Sequence, residues 1–238
     1  MRPKVAPRAL VVPHAGWMYS GKVAGAVYGR VALPKLVVLL GPNHTGLGPW
    51  GSIMTRGRWA IPGGDLEIAA DLAEAILSRC AELREDESAH AREHALEVQL
   101  PFLRRLRPDV QFVPLTLMKT DLAFCLAVGR AVAATVAAWP ESVLLISSTD
   151  LNHYESQAVS NRKDRLAIEA ILALDPDGLQ RTVRDHHISM CGIAPTTALL
   201  AALRDPGSPR AELIRYMTSG DVSGDYDRVV GYGGVIIT

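Results

Sequence analysis

Leu36-Val37-Val38-Leu39-Leu40-Gly41-Pro42-Asn43-His44 is an unbroken apolar run that stops at a Gly-Pro turn and a histidine. Apolar residues without polar alternation over this length mark a strand buried on both faces, the kind that builds parallel sheets. Two further runs end alike: Ala9-Leu10-Val11-Val12-Pro13-His14, and Val143-Leu144-Leu145-Ile146-Ser147-Ser148-Thr149-Asp150-Leu151-Asn152-His153. In an open α/β sheet the carboxyl ends of parallel strands share one edge, and ligands bind there. Three imidazoles delivered to one edge are enough to begin a metal site.

Outward from these runs, strand-like stretches alternate with alanine-rich helical ones. The pattern predicts a helix after Ser20-Gly21, a loop from Gly41 to Trp50, a short strand near Ile53–Thr55 and an irregular stretch to Gly64. Asp65 is expected to cap an amphipathic helix running through Cys80, because its carboxylate can accept from the free N–H groups of a first turn. A helix is expected over 93–106, kinked or ended by Pro101. A strand over 110–117 and a helix over 121–138 follow. Helices over 161–174, 176–183 and 195–203 lead to closing strands over 211–218 and 228–237. The fold class is α/β: one domain spanning 1–238, with a mostly parallel central sheet flanked by helices.

Composition excludes several classes. Lys+Arg and Asp+Glu each total 25 in 238 residues, so no basic field exists for nucleic acid. Three cysteines, widely spaced and odd in number, form no disulfide framework, which favours a cytoplasmic reading. The apolar stretches are too short or too polar at their flanks to span a membrane. Met1-Arg2-Pro3-Lys4-Val5 runs almost at once into the first strand, leaving no room for a signal peptide.

Each histidine motif has an ordinary alternative. Pro13-His14-Ala15-Gly16 and Gly41-Pro42-Asn43-His44 also read as strand-end turns. Asp150 can ligate a metal, fix a neighbouring imidazole's tautomer, or cap the next turn. His94 and Glu97 lie one helical turn apart and can face the same way, with Leu96, Leu100 and Leu103 as the core stripe. Cys80 and Cys125 read as buried and inert. Cys191, next to Gly192 and a helix start, has the position that favours a thiolate.

In this order the motifs Pro13-His14-Ala15-Gly16, Gly41-Pro42-Asn43-His44, Glu93-His94 through Leu100-Pro101, Ser148 through His153, and Cys191-Gly192 resemble those of the MEMO family, over nearly the whole chain. That family includes the bacterial and archaeal proteins called AmmeMemoRadiSam system protein B. The resemblance implies a fold similar to the class III extradiol dioxygenases, which use non-heme iron. It implies metal ligands His14, His44 and Cys191, with Asp150 and His153 in the same pocket as catalytic candidates. His94, Glu97 and His187 are implied as further pocket residues. Thr45 stands where the family commonly has a second histidine, Asn43 where it has serine, and Ile193-Ala194 where it has Arg-His, so substrate specificity does not transfer.

The function so implied is an iron- or copper-dependent oxidoreductase; on ligand softness the site itself suits Fe(II) first, with Cu or Zn as alternatives. Its ligand is a small molecule or peptide, and its implied partners are radical-SAM and AMMECR1-like proteins. Two other readings stand beside it: a non-catalytic metal- or peptide-binding module, and a zinc hydrolase working through bound hydroxide.

Overall fold

The computed structural model describes residues 4–204 and 209–238; Met1–Pro3 of the opening segment lie outside them. Among the described residues, eleven strands join one sheet: β1 (Ala9–Val12), β2 (Leu36–Pro42), β3 (Gly51–Ile53), β4 (Arg58–Trp59), β5 (Leu66–Ile68), β6 (Arg84–Glu85), β7 (Gln111–Leu117), β8 (Val143–Ser148), β9 (His153–Glu155), β10 (Ala211–Thr218) and β11 (Val229–Ile237). Eight helices flank it: α1 (Trp17–Tyr28), α2 (Ala70–Arg79), α3 (Leu100–Leu106), α4 (Leu122–Ala137), α5 (Gln157–Leu172), α6 (Pro176–Asp185), α7 (Ile193–Ala202) and α8 (Gly220–Ser223).

The main strand order is β10-β11-β1-β8-β2-β7-β3-β6. Its middle, β1-β8-β2-β7, is parallel throughout, while β10 and β11 are antiparallel at one side and β3 pairs antiparallel with β7 at the other. The sheet is therefore mixed around a parallel centre. Three of the four parallel strands are the apolar runs that end in histidine, and nearly every residue of all four is buried. Full burial of one Val or Leu side chain is worth ~1.5–3 kcal/mol, so these strands anchor the core. On β11 the successive residues Gly233 and Gly234 approach Ile168 of α5 and Val23 and Val27 of α1 respectively. Alternate residues of a strand face opposite sides, so α5 and α1 cover opposite faces of the sheet.

Three expectations need correction. Leu66-Glu67-Ile68 is a strand with buried-exposed-buried alternation, and α2 begins only at Ala70, so Asp65 caps no helix. The helix expected from Glu93 begins at Leu100, after a 3₁₀ turn over Glu97–Gln99. Pro101 lies in its first turn, where its missing N–H costs no intrahelical bond. The first helix starts at Trp17, so Ser20 and Gly21 lie inside it; the Ser20 hydroxyl donates back to the Ala15 carbonyl.

Asp164 of α5 is fully buried beneath β10 and β11. It accepts from the Tyr216 hydroxyl at 2.7 Å and from the Asn152 N–H at 2.8 Å. Burial pushes its carboxyl up to about 6 from the ordinary 3.8, against the pull of those two bonds. A carboxyl that holds its proton longer in the folded state loses stability as pH rises through that window. Between pH 4 and 7 the stability of the wild type relative to Asp164→Asn is expected to fall by ~3 kcal/mol. Urea midpoints of both proteins at the two pH values measure this, and a difference independent of pH would refute it.

Candidate metal centre

The strand order places the three histidine-terminated strands side by side, with β8 between β1 and β2 in parallel register. Their carboxyl ends open into a cavity of about 530 Å³ lined by His14, His44, His94, Asp150, His153 and Cys191, among others. Ligand-capable atoms of His14, His44 and His94 all lie within 4.8 Å of one another. The ring centroids are 5.0–5.5 Å apart. The Cys191 sulfur sits 3.3 Å from His14 Nε2.

Of the four cavity imidazoles, all but His94 have one nitrogen at hydrogen-bond distance from a partner. His14 Nδ1 lies 3.0 Å from Ser148 Oγ, and burial pushes the ring down to about 4, so it is neutral near pH 7. His44 Nδ1 lies 2.9 Å from Glu93 Oε1. Glu93 is almost wholly buried, and burial alone would raise its carboxyl. The His44 ring, the N–H groups of Ala95 and His44, and the imidazole's charge together take it down to about 2. An ionised carboxylate only accepts, so His44 carries a proton on Nδ1, and that bond raises the ring's pKa against the effect of burial; in the neutral ring Nε2 is the open nitrogen. A carboxylate behind an imidazole is the usual outer partner of a metal-binding histidine. His153 donates from Nδ1 to the Ser189 carbonyl at 2.8 Å, which leaves its Nε2 as an acceptor.

Asp150 caps the turn that follows β1. Its Oδ1 accepts from the N–H groups of His14 at 2.8 Å and Ala15 at 3.3 Å, tying the end of β8 to the His14 backbone. The chain after His153 turns through Tyr154 with φ 61, a left-handed conformation that costs a non-glycine residue ~1–3 kcal/mol and gathers at functional sites. On the other side of His44, Gly41 is needed for close approach. A Cβ there would meet Leu96 Cδ2 at 2.5 Å, so glycine lets the turn carrying Glu93 and His94 rest on the end of β2.

The sequence reading and the geometry part company at three residues. Glu97 faces away: it is exposed and lines a different groove with Trp59 and His90, because residues 93–96 are not helical and i, i+3 spacing does not apply. Glu93, adjacent to His94, is the carboxylate at the cavity. His187 is also outside the cavity. It is exposed, with φ 49, and its carbonyl accepts from Lys163, so it shapes the turn leading to Ser189. Cys191 lies in the cavity, but burial first, and then the Asp150 charge, push its thiol well up rather than down. Its place one residue before the cap of α7 does not outweigh desolvation. Cys80 and Cys125 are buried away from the cavity.

Three clustered imidazoles, two with a fixed Nδ1 partner, could hold a transition metal; the Cys191 sulfur touches His14 but is not one of that group of three. Among the described residues no helix is long and apolar enough to cross a membrane. The fold resembles that of uncharacterized protein JW3007 from Escherichia coli, with a TM-score of 0.63 at 13% identity, covering 94% of this chain and 98% of the other. At that identity the likeness concerns fold alone. A MEMO1 family protein of Methanopyrus kandleri is 42% identical over 231 residues, 95% of this chain and 82% of its own length. Another, from Methanocaldococcus jannaschii, is 39% identical over 241 residues, 97% of this chain and 84% of its own. The Memo-like protein profile matches residues 1–236, and with histidines meeting at the edge where the strand-end motifs converge, this chain belongs to the Memo-like protein family.

Proposed function

We propose that the cavity holds a transition metal, Fe(II) first and copper or zinc as alternatives, and that with iron or copper bound the chain is a metal-dependent oxidoreductase. The observation that carries the reading is the meeting of His14, His44 and His94 within 4.8 Å, with the Cys191 sulfur against His14. His14 and His44 offer Nε2, His94 a third imidazole, and Cys191 a thiolate once its proton is displaced by a metal. A bound iron or copper supplies electron transfer and a Lewis-acidic position for a substrate oxygen. His153 Nε2, with a lone pair and a ring steadied by Ser189, takes a proton from a substrate hydroxyl at the cavity mouth. Asp150 acts by holding the His14 backbone. The radical-SAM and AMMECR1-like partners belong to the same proposal and rest on the family resemblance alone.

Protein purified without oxygen is expected to carry stoichiometric iron or copper and to consume oxygen with a catechol-type substrate. Tight metal with no turnover across such substrates would hand the site to the metal-handling, non-catalytic reading. Cys191→Ser is expected to weaken Cu(I) and Zn(II) binding by more than about tenfold, a loss typical even of an outer partner. Mg(II) binding should not respond, because a hard cation does not seek sulfur. Unchanged Cu(I) affinity would remove Cys191 from the ligand set.

A further inference from the structure

Behind His14 lies a chain of four polar side chains, all essentially removed from solvent: His14, Ser148, Gln99 and Tyr28. Its two ends of known character are backbone carbonyls, which only accept. Gln99 Nε2 lies 2.9 Å from the Pro13 carbonyl and 2.9 Å from Ser148 Oγ. The Pro13 contact identifies that atom as the amide nitrogen, so it donates to Ser148 with its second hydrogen. The Tyr28 hydroxyl donates to Gln99 Oε1 at 3.0 Å, which completes the amide. Ser148 Oγ lies 2.6 Å from the Ala95 carbonyl and has one proton, which that carbonyl receives. Toward His14 the hydroxyl has only a lone pair left.

We propose that Ser148, oriented by Gln99, is a positioning residue that confines the proton of the neutral His14 ring to Nδ1 and so presents the Nε2 lone pair to the metal. The arrangement is disfavoured from reversing locally. Turning the Ser148 hydroxyl toward His14 would leave the buried Ala95 carbonyl without this partner, a cost of ~1–3 kcal/mol that biases the rotor. Ser148 and Gln99 together tie the parts of the cavity to one another: the serine reaches the His14 ring and the Ala95 carbonyl beside His94, and the glutamine reaches the Pro13 carbonyl before His14. Gln99 interrupts the Leu96, Leu100, Leu103 stripe as a buried polar residue whose side chain faces inward with them.

The inference rests on the metal reading for its purpose but not for its chemistry, and the two are tested separately. In metal-free protein with ¹⁵N-labelled histidine, long-range ¹H–¹⁵N correlations assigned with His14→Gln should show Nδ1 protonated and Nε2 bare. In Ser148→Ala the proton is expected to move toward Nε2 and Zn(II) affinity to fall about 10- to 100-fold. Gln99→Leu, which leaves the hydroxyl in place, should shift both in the same direction by less. A wild-type His14 protonated on Nε2 overturns the proposal even if neither variant folds. A proton that moves while Zn(II) affinity stays constant overturns the link to metal binding. Should the wild type bind no transition metal, the proposed function falls, and the spectra alone decide whether the relay exists.

Discussion

Glu93→Ala is expected to lower the melting temperature by ~6–12 °C and to weaken Zn(II) or Fe(II) binding about 10- to 100-fold. The carboxylate is 2% exposed and receives three hydrogen bonds: from the His44 N–H at 2.5 Å, from His44 Nδ1 at 2.9 Å and from the Ala95 N–H at 2.9 Å. Alanine leaves two backbone donors and an imidazole without an acceptor, in a turn packed on the end of β2. Each lost bond of this kind costs ~1–3 kcal/mol, and a total of ~3 kcal/mol gives the stated shift for a chain of this size. The same geometry sets a pH dependence. With its carboxyl held at about 2 instead of 4.5, Glu93 stabilises the fold above pH 4.5 and loses that contribution as pH falls toward 2. Differential scanning calorimetry of both proteins at pH 7 and pH 3 measures it, beside a Zn(II) titration. A variant that melts with the wild type and binds zinc equally well would mean that Glu93 holds neither His44 nor its turn.

Gly192→Ala is expected to cost ~3 kcal/mol and to displace Cys191. The glycine has φ −91, so its backbone suits any residue, and the constraint is space alone. A Cβ would fall 2.2 Å from Thr149 Cβ, 2.3 Å from Thr149 Oγ1 and 2.9 Å from the Ser148 carbonyl oxygen. Thr149 is fully buried and cannot retreat: its hydroxyl accepts from the Gly192 N–H at 3.0 Å and donates to the Asp150 carbonyl at 2.8 Å. The added methyl must therefore push the start of α7 away from the end of β8, and Cys191 moves with it. Overpacking against unyielding backbone costs ~1–3 kcal/mol and occasionally more. Gly25→Ala is the control. It sits in α1 with nothing within 4 Å of its Cβ position, and alanine there should stabilise by up to ~1 kcal/mol. Equal melting temperatures for Gly192→Ala and the wild type, with unchanged copper affinity, would show that Cys191 is not held by this contact.

Both predictions concern residues whose weight the motifs alone did not convey. Burial on both faces writes itself as nearly uninterrupted Val, Leu and Ile, and β1, β2 and β8 lie where those runs lie. The helix over 121–138 was legible too, with Asp121 accepting from the Phe124 N–H as its cap. Leu66–Ile68 was misread because a three-residue strand beside a good helix former offers too little periodicity to outvote an Asp cap. Glu97 was expected beside His94 on helical spacing and on the family resemblance, but residues 93–96 are not helical, and Glu93 is the carboxylate that meets His44.

What the residues by themselves determined was an α/β chain whose apolar strands end in histidines, because hydrophobic pattern and turn chemistry act locally and survive in one dimension. The tertiary structure alone decided that β8 lies between β1 and β2 and that Glu97 and His187 stay outside. Those outcomes depend on strand order and on atoms such as Ser148 Oγ and Glu93 Oε1 reaching partners 49 or more residues away. Contacts across such separations are set by packing the whole sheet and leave no period or spacing in the chain.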